Sequence, residues 1–443
     1  MGFQQGLSGL NAASKNLEVI GNNIANANTY GGKSSRAEFA DVYASALNGA
    51  GQNPVGIGTS LASVSQQFTQ GNISTTENPM DMAINGSGFF QVSDDKNPVM
   101  YTRNGQFKVS RDGFIVNNAG LKLLGYPADG TGVIQPGLAQ PLQLPTAGIT
   151  PQVTKNVSME FNLDSRAKST APGGTGVGMK LNDPATYNNA TSMTIYDAKG
   201  QSVALTFYFQ KSDPTPAPPD PSSTTTWNIY ATANGKPLEV DAAGTATPVD
   251  ADGNPTAPYT TLVFSAYDGS KPVSPTADIN MDVPVSTNAA GAATLPIAGI
   301  KLNILKTTEG GSSFAVTDVK QDGYAPGQLA GIQIDKSGII MARYSNGQSK
   351  PAGQVELATF RNTQGLQPLG GNVWARTYGS GDAVVGVPGD GNMGVLQSGA
   401  LEESNVDMTA ELVNMVTAQR VYQANAQSIK TLDQVLQTLV NLR

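Results

Sequence analysis

The sequence predicts an α+β multidomain protein: long N- and C-terminal coiled-coil helices flank two or more mainly antiparallel β-domains, the outer one inserted in the inner one. Three observations predict it. Both chain ends carry apolar residues at seven-residue spacing with few charges. The middle is punctuated by Asn-Gly and Asp-Gly steps with short alternating runs between many of them. And 443 residues exceed what one hydrophobic core usually organises.

The first element is a helix over residues 3–28. Phe3, Leu10, Leu17 and Ile24 form its spine, Ala13, Ile20 and Ala27 follow three residues later, and Leu7 widens the stripe. Lys15 and Glu18 are its charges, and Asn26, Asn28, Gly31 and Gly32 supply a stop. The amides Asn22, Asn23, Asn26 and Asn28 read as caps for free helix carbonyls, with a sugar-binding surface as the alternative.

The last element mirrors it. Met408, Met415, Tyr422, Ile429 and Leu436 recur every seven residues, flanked by Leu412, Ala418, Ala426, Leu432, Leu439 and Val440. Asp407 suits the N-cap and Glu411 the first turn. Neither Pro nor Gly interrupts residues 408–443, so the predicted helix is about 50 Å long. A solvated helix needs a charged face. Here Asn, Gln, Ser and Thr stand there instead, which fits burial among neighbouring copies.

Between the helices the alternation is β-like. Val157-Met159-Phe161-Leu163, Val203-Leu205-Phe207-Phe209 and Ile300-Leu302-Ile304 each put large apolar side chains on one face. Residues 48–60 read as a Gly-rich extended loop, and Asp213 to Thr226, with five prolines, as a loop or linker.

Composition removes whole classes of chemistry. There is no Cys and no His, so thiol nucleophiles, disulfides, Ser-His-Asp triads and most zinc sites are excluded. No metal or cofactor is expected. A net charge of −7 argues against nucleic acid as a partner. No apolar run approaches a membrane span, so no direct membrane insertion is expected, and the start lacks the pattern of a cleaved signal peptide. The adjacent carboxylates Glu402-Glu403 and Asp94-Asp95 do not suit a glycosidase, whose pair must face across a cleft. No catalytic residue is expected.

Ser8-Gly9-Leu10-Asn11-Ala12-Ala13 and Ile20-Gly21-Asn22-Asn23-Ile24-Ala25-Asn26-Ala27-Asn28-Thr29 make the N-terminus resemble the bacterial flagellar axial family of rod, hook and hook-associated proteins. Gly399-Ala400-Leu401-Glu402, Ser404-Asn405-Val406-Asp407, Glu411-Leu412-Val413 and Ala418-Gln419-Arg420 with Tyr422-Gln423-Ala424-Asn425-Ala426 resemble its C-terminal signature. Met82 to Phe90 and Tyr101 to Phe107 resemble its inner β-domain. Length and one large insertion resemble the hook branch, with a distal rod or hook-associated junction protein as the alternative within the family.

The resemblance implies a self-assembling helical homopolymer, a tubular universal joint that passes torque from rod to filament. The implied partners are further copies of the chain, the distal rod, the hook cap, the hook–filament junction proteins and the flagellar type III export apparatus. The implied location is the extracellular hook, reached without a cleaved signal peptide. The expected domains are residues 1–29 with 405–443 as the helical inner tube, 30–70 with 375–404 as a connecting segment, 71–149 with 319–374 as the inner β-domain, and 150–318 as the outer insertion. The expected assembly residues are Phe3, Leu7, Leu10, Leu17, Ile20, Ile24, Met408, Leu412, Met415, Tyr422, Ile429, Leu432, Leu436 and Leu439. Outside the family, a carbohydrate-binding β-protein or a carboxylate glycosidase are the competing classes.

Overall fold

A computed structural model describes residues 2–42, 56, 58–94, 98–171, 179–214, 220, 222–238, 249–269 and 271–441, with backbone alone at 2 and 439–441. The described chain is mostly β, with one long helix at each end. It divides into two compact units: residues 1–146, 329–343 and 349–443 form the first, and 147–328 with 344–348 the second.

Helix α1 spans Gly2–Ala25 and helix α2 spans Met408–Asn441. Asp407 caps α2 as expected, its Oδ1 accepting from the amides of Thr409 at 2.9 Å and Ala410 at 3.1 Å. α1 stops at Ala25, short of the expected residue 28. Asn26 donates its side-chain amide to Asn22 O at 2.9 Å, and the chain turns there. Strands β1 (Ser35–Val42) and β2 (Gly58–Gln66) pair antiparallel as a hairpin beside α1. Gly58 to Ser60 thus belong to a strand rather than to the expected loop. Residues 48–55 and 57 lie outside the described residues.

The rest of the first unit is a thirteen-stranded sheet with two smaller two-stranded pairings. Period-two alternation places Phe89 and Phe90 on opposite faces of the strand Phe89–Ser93. Phe90 joins Met82, Ile84, Phe107, Ile115, Leu123 and Leu357 in the main core, stacking edge-on with Phe107 at 5.3 Å between centroids. Phe89 packs on the other side with Tyr101, Phe68 and Trp374. Both faces are buried, and the polar Gln91 is buried with them, so this strand lacks the apolar–polar alternation of a half-exposed one.

The second unit holds two five-stranded sheets around one core. Every residue of the three alternating runs, from Val157 to Ile304, is buried in that core. The sheet of Asn189–Tyr196, Ser202–Lys211, Thr224–Ala233, Lys236–Pro237 and Thr260–Ser265 is antiparallel. The other is mixed: Asn156–Asp164 runs parallel to Ile297–Asn303 and Thr308–Gly310, and antiparallel to Ala315–Gln321. That last strand crosses the boundary expected at 318/319, and the unit runs on to Gln328. Thr224 to Thr226, expected in a linker, begin a strand, because their alternation continues into Trp227 and Ile229. Residues 215–219 and 221 lie outside the described residues.

Candidate assembly interface

α1 and α2 pack side by side and antiparallel. Asn23 Nδ2 donates to Glu411 Oε1 at 3.2 Å near one end, and Gly6 lies against Ile429 near the other. The closest seam is not the predicted leucine spine. A Cβ on Gly6 would stand 2.9 Å from Ile429 Cγ1, and one on Gly9 would stand 3.0 Å from the Asn425 amide. Two residues without Cβ let the helix backbones approach. Ala13 and Ile20 continue the seam and are buried at 6 % and 4 % exposure.

The predicted residues accordingly divide. Ile20 is buried. Leu10, Leu17, Ile24, Met415, Ile429 and Leu432 are half-buried. Phe3, Leu7, Met408, Leu412, Tyr422 and Leu436 are exposed, Phe3 at 49 % and Leu436 at 55 %. The Leu439 side chain lies outside the described residues. Because Gly6 already faces Ile429, α2 from about Asp433 onward extends past the start of α1. Val413, Val416, Val421 and Val435 add further exposed apolar surface that the heptad reading left out.

Asn23 does not cap its helix. Its amide oxygen accepts from Ser35 N at 2.8 Å and its nitrogen donates to Ser35 O at 2.8 Å, so it tethers β1 to α1. Below it lies a buried charge cluster. Glu402 Oε1 accepts from Lys33 Nζ at 2.6 Å, and Oε2 accepts from Arg103 Nη1 at 3.0 Å. The side chains of Lys33 and Glu402 are 1 % and 0 % exposed. Burial pulls the Lys33 ammonium below its ordinary range against the pull of Glu402, and burial likewise lowers Arg103. Glu402 is thus the anchor of this cluster, and its neighbour Glu403 points elsewhere, accepting from Asn72 Nδ2 at 3.3 Å. Asp95 of the other carboxylate pair lies outside the described residues. Among the described residues no group of three or more acidic side chains is placed to hold a metal, and no helix is long and apolar enough to cross a membrane.

Four family models match along the chain. The flagella basal body rod protein model covers residues 3–33, and the flagellar hook protein FlgE/F/G D1 domain covers 83–201. The flagellar basal body protein FlaE D2 domain covers 162–324, and the flagellar basal body rod FlgEFG protein C-terminal model covers 397–442. The flagellar hook protein FlgE of Salmonella typhimurium is 40 % identical over 445 residues, covering 100 % of both chains. The chain belongs to the flagellar hook protein family. It is a structural axial protein of the bacterial flagellum, a component of its hook and basal body. The hook proteins of Escherichia coli K12, 40 % identical, and Rhizobium meliloti, 32 % identical, cover all of this chain and 100 % and 98 % of their own lengths. A solved Helicobacter pylori flagellar hook protein FlgE2 aligns with 74 % of this chain and 100 % of its own, at TM-score 0.49 and 15 % identity.

Proposed function

We propose that this hook-family chain polymerises through its helix pair into a tube, a flexible universal joint passing torque from the rod to the filament. The observation that carries the reading is the exposed apolar surface of α1 and α2, from Phe3 and Leu7 to Val435 and Leu436. In this reading the helices pair as coiled coils and line the inner tube. The β-rich parts stand at larger radius, with the second unit inserted in the first. Close-packed helices resist torsion, while wet outer contacts exchange at little cost as the joint bends. The chain reaches the extracellular hook through the flagellar type III apparatus, grows under a hook cap, and meets the distal rod and the hook–filament junction proteins at its two ends.

Leu436→Asp tests this. Leu436 lies beyond α1 and is 55 % exposed in the single chain, so the monomer should fold and melt as the parent does. In the tube the carboxylate would be buried without a partner, which costs several kcal/mol per subunit. Electron microscopy should show no tubes from this variant and normal tubes from Gln437→Asp. Normal tubes from Leu436→Asp would overturn the assignment of this face to assembly.

A further inference from the structure

We propose that Glu402 is a lock that fixes the direction in which the helix pair leaves the β part of the first unit. Both chain segments that connect the helices to that part meet at this one carboxylate. Its Oε1 accepts from Lys33 Nζ at 2.6 Å and from Gly71 N at 3.0 Å. Its Oε2 accepts from Arg103 Nη1 at 3.0 Å, while Arg103 Nη2 donates to Gly86 O at 2.9 Å. Its own carbonyl accepts from Gly31 N at 2.7 Å, and Lys33 Nζ also donates to Thr69 O at 2.8 Å. One side chain therefore holds the segment leaving α1, the segment following the β1–β2 hairpin, and a loop of the sheet.

Asn405 repeats the pattern one step closer to α2. Its Oδ1 accepts from Ser34 N at 2.7 Å, and its Nδ2 donates to Gln67 O at 2.7 Å and to Thr69 Oγ1 at 2.8 Å. The backbones are also as close as backbones come. Gly31 sits at φ +69°, and a Cβ there would stand 2.5 Å from Asn104 N. A flexible hinge has few buried contacts and a solvated backbone. This junction has the opposite character. A buried ion pair contributes little net stability over an apolar core, but it is directional, and breaking one side leaves a charge stranded. Glu402 is thus a positioning residue. It acts by orienting the helices rather than by touching a neighbour, so the lock stands apart from the assembly reading. Only the second arm of the test rests on that reading.

The absence of Cys makes the test direct. Spin labels on Lys15→Cys, exposed on α1, and Lys108→Cys, exposed on the strand Phe107–Val109, report the angle as a distance distribution in the full-length monomer. The parent should give one narrow peak. Glu402→Gln should broaden it at least twofold, and Glu403→Gln should leave it unchanged. A Glu402→Gln peak as narrow as the parent overturns the lock. Should that variant unfold, Lys33→Gln keeps the Arg103–Glu402 pair and must broaden the peak in a folded chain, with Lys33→Arg restoring it; an unchanged Lys33→Gln peak overturns the lock equally. In the second arm, a folded, broadened variant should need at least tenfold more protein to form tubes. Normal tube formation from it overturns the link between lock and assembly, whereas an unlabelled, unsubstituted parent that never forms tubes would sink the assembly reading and leave the monomer result intact.

Discussion

Gly6 lies so close to Ile429 that a Cβ on it would stand 2.9 Å from Ile429 Cγ1, whereas a Cβ on Gly21 of the same helix would meet nothing within 4 Å. Two glycines in one helix therefore have opposite meanings. Gly6→Leu should force α1 and α2 apart, an overpacking cost of about 1–3 kcal/mol. It should lower the helical circular dichroism signal and stop tube formation. Gly21→Ala removes only the helix penalty of glycine and should stabilise α1 by about 1 kcal/mol. Gly6→Leu with unchanged helix content would refute the close seam.

Lys33 gives the first unit a pH dependence of definite sign. Burial lowers its native pKa from the ordinary 10.5, and Arg103 adds to the lowering. Between the native value and 10.5 the unfolded chain binds the extra proton, so stability rises with pH across that window. Urea midpoints followed upward through the alkaline range should show this rise as a difference between the parent and Lys33→Met, which lacks it. Tyrosine ionisation is common to both chains and cancels. Parallel pH curves would contradict the assignment.

Glu356 works at the acid side. It is 2 % exposed, its Oε1 accepts from Tyr126 Oη at 2.8 Å, and burial raises its carboxyl above 4.5. The native chain holds this proton where the unfolded chain has lost it, so stability falls as pH rises from 4.5 through the raised native value. Glu356→Gln should abolish that fall and raise the midpoint at pH 7. It should also bring Tyr126 down from about 12, where burial and Glu356 hold it. A Tyr126 absorbance titration left unmoved by Glu356→Gln would count against the pairing.

The second unit carries its own internal ion pair. Glu309 Oε1 accepts from Trp227 Nε1 at 3.1 Å and lies 3.4 Å from Lys211 Nζ, with Lys211 over the Trp227 ring at 5.5 Å. Glu309→Ala strands the buried Lys211 ammonium and should cost about 3–5 kcal/mol. Lys211→Met in the same chain should recover most of it. Trp227 fluorescence in a Trp374→Phe background reads this transition alone, since the chain has two Trp. No recovery in the double variant would show that packing, not charge, is the loss.

Much of this was legible because it is local. The runs from Val157 to Leu163 and from Val203 to Phe209 alternate over a few residues, and the large apolar residue at every second position turned out buried. Asp407 is readable as a cap from its neighbours alone. The pairing of Glu402 with Lys33 and Arg103 is not, because the partners lie 369 and 299 residues away. The one trace in the sequence is an acidic pair, Glu402-Glu403, directly after Ala400 and Leu401 in a chain only 14 % charged, and nothing local says which of the two is buried. The seam at Gly6 and Gly9 escaped for a different reason. A heptad reading weighs apolar bulk, while these positions act through having none. The strand Ala315–Gln321 runs across the expected cut at 318/319 because its partner is Asn156–Asp164, a pairing distant in sequence that no local pattern reveals.

The antiparallel helix pair joins the first segment of the chain to the last, and closing so long a loop carries an entropic cost. Asn23 and Glu411 are 388 residues apart, so closing that contact from an unfolded chain costs about 5 kcal/mol in loop entropy. Once Ile73–Thr75 has paired with Ala400–Glu402 and Gly31 has bonded Glu402, the remaining loop is short and the cost falls to about 2–3 kcal/mol. Loop entropy therefore favours the β-rich body forming first and the two helices meeting last. They are also the first to part when the chain is stressed, so hydrogen exchange should find their amides opening well before the sheets do.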